Sequence, residues 1–135
     1  MELLSKDGRR VVIVGTYSYW HCFRSTIEVN LYDFRNDITD AMTFLKNRKC
    51  EHEKGYIIAK QFNIIRDKLA DYSPDKVVYD MDNKKVLPPW GQYISPVITS
   101  LGNYFVTSEG KDLIFEIVSL LTYAYLSKVD IVCEG

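Results

Sequence analysis

The chain has 135 residues, 47% of them hydrophobic and 26% charged, which describes a single soluble domain with one sizeable core and excludes a disordered or fibrous segment. Seventeen basic residues against eighteen acidic ones leave a formal charge of −1, which argues against a broad phosphate-binding face and hence against a nucleic-acid partner. Cys22, Cys50 and Cys133 show no C-x-x-C spacing, no basic-then-apolar leader opens the chain, and the longest apolar run is Val11–Val14, so a reduced cytoplasmic protein without disulfides or a membrane span is expected.

In chain order, Glu2–Ser5 and Arg9–Thr16 flank Lys6-Asp7-Gly8, and Asp-Gly between apolar runs predicts a β-hairpin. From Ser18, a suitable cap, the residues Trp20, Phe23, Ile27, Leu31 and Phe34 recur at steps of three and four. That is the period of one helix face. Asn36 or Asp37 is the expected cap of a second, shorter helix carrying Ile38, Ala41, Met42 and Leu45. A third helix is predicted from about Glu53 to Tyr72, with Ile58, Phe62, Ile65 and Leu69 as its stripe. Ser73-Pro74-Asp75 stops it, because a residue before proline is driven out of the helical region.

Lys76–Asp80 and Lys85–Leu87 read as short strands around the turn Met81–Lys84. Pro88, Pro89 and Pro96 then break regularity and put Trp90 on a loop. Tyr104–Thr107 is strand-like, Ser108 is the expected cap of a last helix over Glu109–Leu126, and Lys128–Cys133 closes as a strand. The order predicts one α+β domain over 1–135, in which the hairpin and the C-terminal strands share a sheet packed by about four helices.

Candidate chemistry is sparse. Asp80-Met81-Asp82-Asn83 opens like a calcium loop, but the sixth and twelfth positions of an EF-hand require glycine and glutamate and hold Lys85 and Gly91 here. The segment therefore reads as a turn capped by its own side chains, with Asp80 and Asp82 available as an acidic contact for a basic partner. Cys50-x-His52 and His21-Cys22 each offer half of a zinc site, with no zinc spacing between the halves. Adjacent residues on a helix point about 100° apart, so His21 does not face Cys22. Val14-Gly15-Thr16 precedes a helix but carries one glycine and no lysine, too little for an anion-binding loop. There is no G-x-S-x-G, phosphate loop or dinucleotide fingerprint. No catalytic residue, metal or cofactor is expected.

Trp90 stands between Pro88-Pro89 and Gly91, with Tyr93 three positions on. Held off regular structure, the two rings make a candidate partner contact of the kind that dominates interfaces. The competing reading places Trp90 in the core beneath the last helix.

Four pieces of the chain carry a family resemblance. Leu3-Leu4-Ser5-Lys6-Asp7-Gly8 runs into a strand, and Gly15-Thr16-Tyr17-Ser18-Tyr19-Trp20-His21 leads into the first helix, where Ser25-Thr26-Ile27 and Asn30-Leu31 follow. Pro88-Pro89-Trp90-Gly91 and the segment Asn103 to Leu113 are the more distinctive pair. In these the sequence resembles the immunity protein 70 family, small bacterial proteins that protect a cell from its own polymorphic toxins. The resemblance implies a cytoplasmic inhibitor that docks on the toxic C-terminal domain of a cognate secreted toxin and occludes it without turnover. Two other classes stay open on the residues alone. A small enzyme would gather His21, Cys22 or His52 with carboxylates in a deep pocket, and a regulatory interaction module would have a different partner. The residues do not fix an oligomeric state.

Overall fold

Asp7 and Gly8 close the predicted hairpin in the computed structural model, which describes all residues 1–135. Strand β1 (Glu2–Ser5) pairs antiparallel with β2 (Val11–Ile13), and Gly8 takes the left-handed φ of 74° that the turn requires. The Asp7 carboxylate accepts hydrogen bonds from the Ser5 hydroxyl at 2.6 Å, the Arg9 amide at 3.1 Å and the Tyr123 hydroxyl at 2.7 Å. Those bonds, Ser5's foremost, hold its pKa down to about 2. Strand β3 (Ile131–Glu134) runs antiparallel along the other edge of β1, giving the order β2-β1-β3. The first strand is thus the central one, and the buried Leu3 faces Val12 on one side and Cys133 on the other. The α+β expectation and the shared sheet hold.

Four α-helices complete the domain, and the last of them lies against β1 and β2. Helix α1 (Tyr17–Asn30) buries Trp20, Phe23 and Ile27 as the periodicity predicts. Its cap is Thr16 and not Ser18: the Thr16 hydroxyl accepts from the Tyr19 amide at 3.1 Å, the reach of an N-cap to its third helical residue. Leu31 ends α1, and Phe34 lies in a 3-10 stretch over Tyr32–Asp37. Helix α2 (Thr39–Asn47) has no cap of its own from Asn36 or Asp37. The Ala41 amide in its first turn donates instead to Oε1 of the buried Gln61 at 2.8 Å, so helix α3 (Gly55–Leu69) caps α2 from across the core.

Helix α4 (Leu113–Ser127) also starts later than expected. Gly110 has a φ of 80° and the Thr107 amide donates to the Lys111 carbonyl, a turn no helix contains. Asp112 takes over the cap by accepting from the Phe115 amide at 2.8 Å, while the Ser108 amide and hydroxyl both donate to the Ile13 carbonyl. Tyr104–Thr107 contributes only a single bridge, Val106 to Asp112. Lys76–Asp80 and Lys85–Leu87 are not strands: Pro74–Lys76 forms a 3-10 turn and the chain from Val77 to Thr99 is irregular.

The core is an aromatic relay. Trp20 meets Phe23 at 5.5 Å, Phe23 meets Phe105 at 5.0 Å edge-on, and Phe62 meets Phe44 at 5.9 Å edge-on. Pairs in these geometries add about 0.5–1.5 kcal/mol each beyond the area they bury. The Trp20 indole N–H donates to the Leu45 carbonyl at 2.9 Å, so the largest core side chain leaves no polar atom stranded.

Gly55 marks the closest approach of α3 to α4. A Cβ there would lie 2.6 Å from the Leu121 carbonyl oxygen and 3.2 Å from Tyr125 Cβ. Gly55→Ala gains up to about 1 kcal/mol of helix propensity, whereas forcing two backbones apart costs about 1–3 kcal/mol. Because the obstacle is backbone, the clash prevails. Urea unfolding of Gly55→Ala is expected to show a net loss of about 1–2 kcal/mol; a more stable variant would mean that the helices can part freely.

Candidate interaction surface

A stretch as long as Val77–Thr99 with no helix or strand must place its backbone polar groups somewhere. Its own turns take many of them, from the Asn83 amide on the Asp80 carbonyl to the Ile98 amide on the Ser95 carbonyl, and the side chains of α1 hold its first residues and the Lys76 carbonyl just before them. Thr26 Oγ1 accepts from the Val78 amide at 3.0 Å and donates to the Val78 carbonyl at 3.2 Å, both bonds of a ladder residue met by one hydroxyl. Ser25 Oγ accepts from the Met81 amide at 3.0 Å, and Asn30 Nδ2 donates to the Lys76 carbonyl at 3.0 Å. Val78 and Met81 are among the residues that would have formed the predicted strand and turn. α1 has taken the sheet's place.

A fourth anchor is a histidine–carboxylate contact. His21 Nε2 lies 2.9 Å from Asp80 Oδ1 and 3.6 Å from Asp82 Oδ2. An ionised carboxylate only accepts, so the imidazole N–H is the donor. The same Asp80 oxygen accepts from the Asp82 amide at 2.9 Å, the side-chain-capped turn that the sequence suggested. The hydrogen bond from His21 is the chief cause that holds Asp80 below the usual carboxylate range. Asp80 is therefore a latch, whereas the Asp82 side chain is 79% exposed.

The aromatic half of the loop divides in the same way. Trp90 is half-buried, its ring 5.9 Å from Tyr19 and 5.8 Å from Tyr79, and its indole N–H donates to the Tyr104 hydroxyl at 2.6 Å. It packs half-buried on Tyr19 of α1 and joins the loop to the relay through Tyr19 and Phe105 at 5.9 Å. Burial pushes the Tyr19 phenol up to about 12 and raises Tyr104 as well. Tyr93 is 95% exposed, and Leu87 and Val97 of the same segment are exposed as well. A groove of about 430 Å³ lies at the base of this patch, lined by Val77, Leu87, Pro88, Ile94 and Tyr104 among others. Tyr79 adjoins Asp80 in the chain and packs on Trp90, so it links the acidic turn to the aromatic loop.

The residues weighed for metal or nucleophilic chemistry are dispersed. Cys22 is fully buried and Cys50 half-buried, and burial pushes their thiols up to about 12 and about 11, so neither is a thiolate near neutral pH. His21 faces Asp80 and Asp82, while His52 faces Glu53 and Asp130. The two halves imagined for a zinc site thus go to separate carboxylate groups. Sequence reasoning singled out the four loop positions but missed Ser25, Thr26 and Asn30, which hold the loop. Their signal was present as the polar i,i+4 pairs His21–Ser25 and Thr26–Asn30, off the Trp20–Phe23–Ile27 stripe of the same helix.

Folded Asp80 gives up its proton more readily than the unfolded residue does. Its stabilisation is therefore complete above the ordinary Asp pKa of about 3.9 and drains away as pH falls through the lower folded value. Asp80→Asn is expected to lower Tm near neutral pH and to narrow its gap from the parent below about pH 4. A gap that stays constant down to acid pH would refute the latch.

The geometry describes a surface built to be held still, and one comparison bears on its use. A family model described as Immunity protein 70 matches residues 7–133, from the hairpin turn into β3. No curated protein and no solved structure matches the chain. With nearly every element inside the matched span, the chain belongs to the immunity protein 70 family.

Proposed function

We propose that the protein neutralises the toxic C-terminal domain of a cognate secreted bacterial toxin by binding it in the cytoplasm and occluding it, with no turnover. The observation that carries the reading is family membership over 7–133 together with a long irregular segment pinned to α1 and crowned by an exposed tyrosine. In this reading Tyr93 and Asp82 touch the toxin, while Trp90 and Asp80 hold them in place. A loop already ordered before binding loses little conformational freedom on association, which favours tight complexes. The near-neutral charge suits recognition by shape and aromatic contact more than long-range steering. Dispersed histidines and protonated thiols do not favour an enzymatic role.

The direct test is to purify the protein with the toxin domain encoded beside it and to measure a stoichiometric complex and protection of the expressing cell. Within that complex the two aromatic residues are expected to behave differently. Tyr93→Ala keeps its parent's Tm and weakens binding ten-fold or more, about 1.4 kcal/mol per decade. Trp90→Ala loses about 2–4 kcal/mol of folding stability and weakens binding by releasing the loop. Parent-like affinity in Tyr93→Ala would place the docking face elsewhere.

A further inference from the structure

The outward face of α4 sets it apart from the other helices. α1 carries Arg24 and Glu28, α2 carries Asp40 and Lys46, and α3 carries Lys60 and Asp67, whereas α4 has a single charged residue, the half-buried Glu116, in fifteen. A helix apolar all round is normally buried on all sides. On α4, however, Phe115 is 60% and Leu126 is 73% exposed, with Ser119 and Thr122 exposed between them.

These four residues have an order of their own. At 100° per residue they fall within about 60° of one another, a single straight row about 16 Å long. They read large, small, small, large at spacings of four, three and four, a palindrome centred between Leu120 and Leu121. A two-fold axis through that centre turns the row onto itself. In an antiparallel pair of such helices, Phe115 of one copy meets Leu126 of the other at both ends. Ser119 and Thr122 leave room for the backbones to approach at the crossing. Thr122 donates its hydroxyl proton to the Val118 carbonyl at 2.8 Å, so that donor needs no partner at the crossing.

We propose that α4 docks against α4 of a second copy of this chain, antiparallel, about a two-fold axis at the level of Leu120 and Leu121. Self-complementarity is what a two-fold interface demands, since the same patch serves both sides. The uncharged row brings no like-charge contact when it meets itself, and it offers a charged partner nothing to pair with. Tyr125, its ring tilted against Tyr56 at 5.6 Å, widens the patch along one side, where the Lys60 ammonium lies 5.5 Å from the Tyr56 ring at the rim. The exposed parts of Phe115, Leu126, Tyr125 and Tyr56 supply about 400–500 Å² per copy, roughly half of the ~800 Å² that each partner buries in a standard interface. The rest falls to the polar rim. This surface is built on α3 and α4 and its argument does not depend on the toxin reading of the Tyr93 loop.

Sedimentation equilibrium of the full chain across a concentration series, with two variants, tests the pairing and its register. The parent is expected to dimerise with a Kd at or below about 100 µM. Phe115→Lys and Leu126→Glu are each expected to weaken the dimer ten-fold or more, with Tm close to the parent's because both side chains are exposed. An equimolar mixture of the two variants recovers the dimer, since the introduced lysine meets the introduced glutamate at one end and Leu126 meets Phe115 at the other. A parent that stays monomeric throughout the series would overturn the proposal. So would variants that dimerise as well as the parent, or a mixture that fails to recover. If α4 is protected only when the toxin domain is added, the row belongs to the toxin interface and self-pairing is wrong.

Discussion

Two hydroxyls decide how this fold is covered. Ser25 and Thr26 are buried on α1 among apolar residues, and a buried hydroxyl left without a partner costs about 1–3 kcal/mol. The helix cannot satisfy them alone without turning them back on its own carbonyls. The segment after α3 supplies the missing partners, with the Val78 amide and carbonyl on Thr26 and the Met81 amide on Ser25. α1 is therefore closed on two sides by different means. One face is sealed by the aromatic relay through Phe23, Phe62 and Phe105, and the other by a length of chain that has no regular structure of its own.

This arrangement ties function to the core by short links. Trp90 touches Tyr19, Tyr19 touches Phe105, and Phe105 touches Phe23. The loop that presents Tyr93 is thus seated on the same rings that stabilise the domain. A three-stranded sheet is too narrow to present a broad binding face, and its edges are partly occupied: β2 by Ser108 on the Ile13 carbonyl, β3 by the bridge of Cys50 to Ile131. Under the proposed function, binding therefore falls to the loop and the helices. The proposed occlusion would need a stiff surface, and pinning a loop with side-chain hydrogen bonds provides stiffness without adding a strand edge that invites aggregation.

How far the sequence discloses this depends on the range of the interaction. Patterns that are local and periodic are legible: the Asp7-Gly8 hairpin, the Trp20–Phe23–Ile27 stripe and the C-terminal strand that joins β1. Helix starts are less so, because caps compete. Ser18 and Ser108 are good cap residues that lost to Thr16 and Asp112, and in the second case the positive φ of Gly110 was the available warning. Lys76–Asp80 has the composition of a strand, but the 3-10 turn that ends at Lys76 and the bonds from distant side chains of α1 give its backbone another place. The cap of α2 by Gln61 is likewise invisible to any window along the chain. At the candidate surface, exposure sorts the four chosen residues into holders and presenters, and no spacing rule separates Trp90 from Tyr93 in that way.

Amide hydrogen exchange in the free protein, compared between the parent and Thr26→Val, tests the central claim most directly. The substitution keeps the side-chain volume and removes only the hydroxyl that holds Val78. The account predicts protected amides at Val78 and Met81 in the parent, and in the variant a release of the loop around Val78 toward unstructured-peptide rates while α3 and α4 keep their protection. Loop amides that exchange at peptide rates in the parent, or that are unchanged by the substitution, would contradict it.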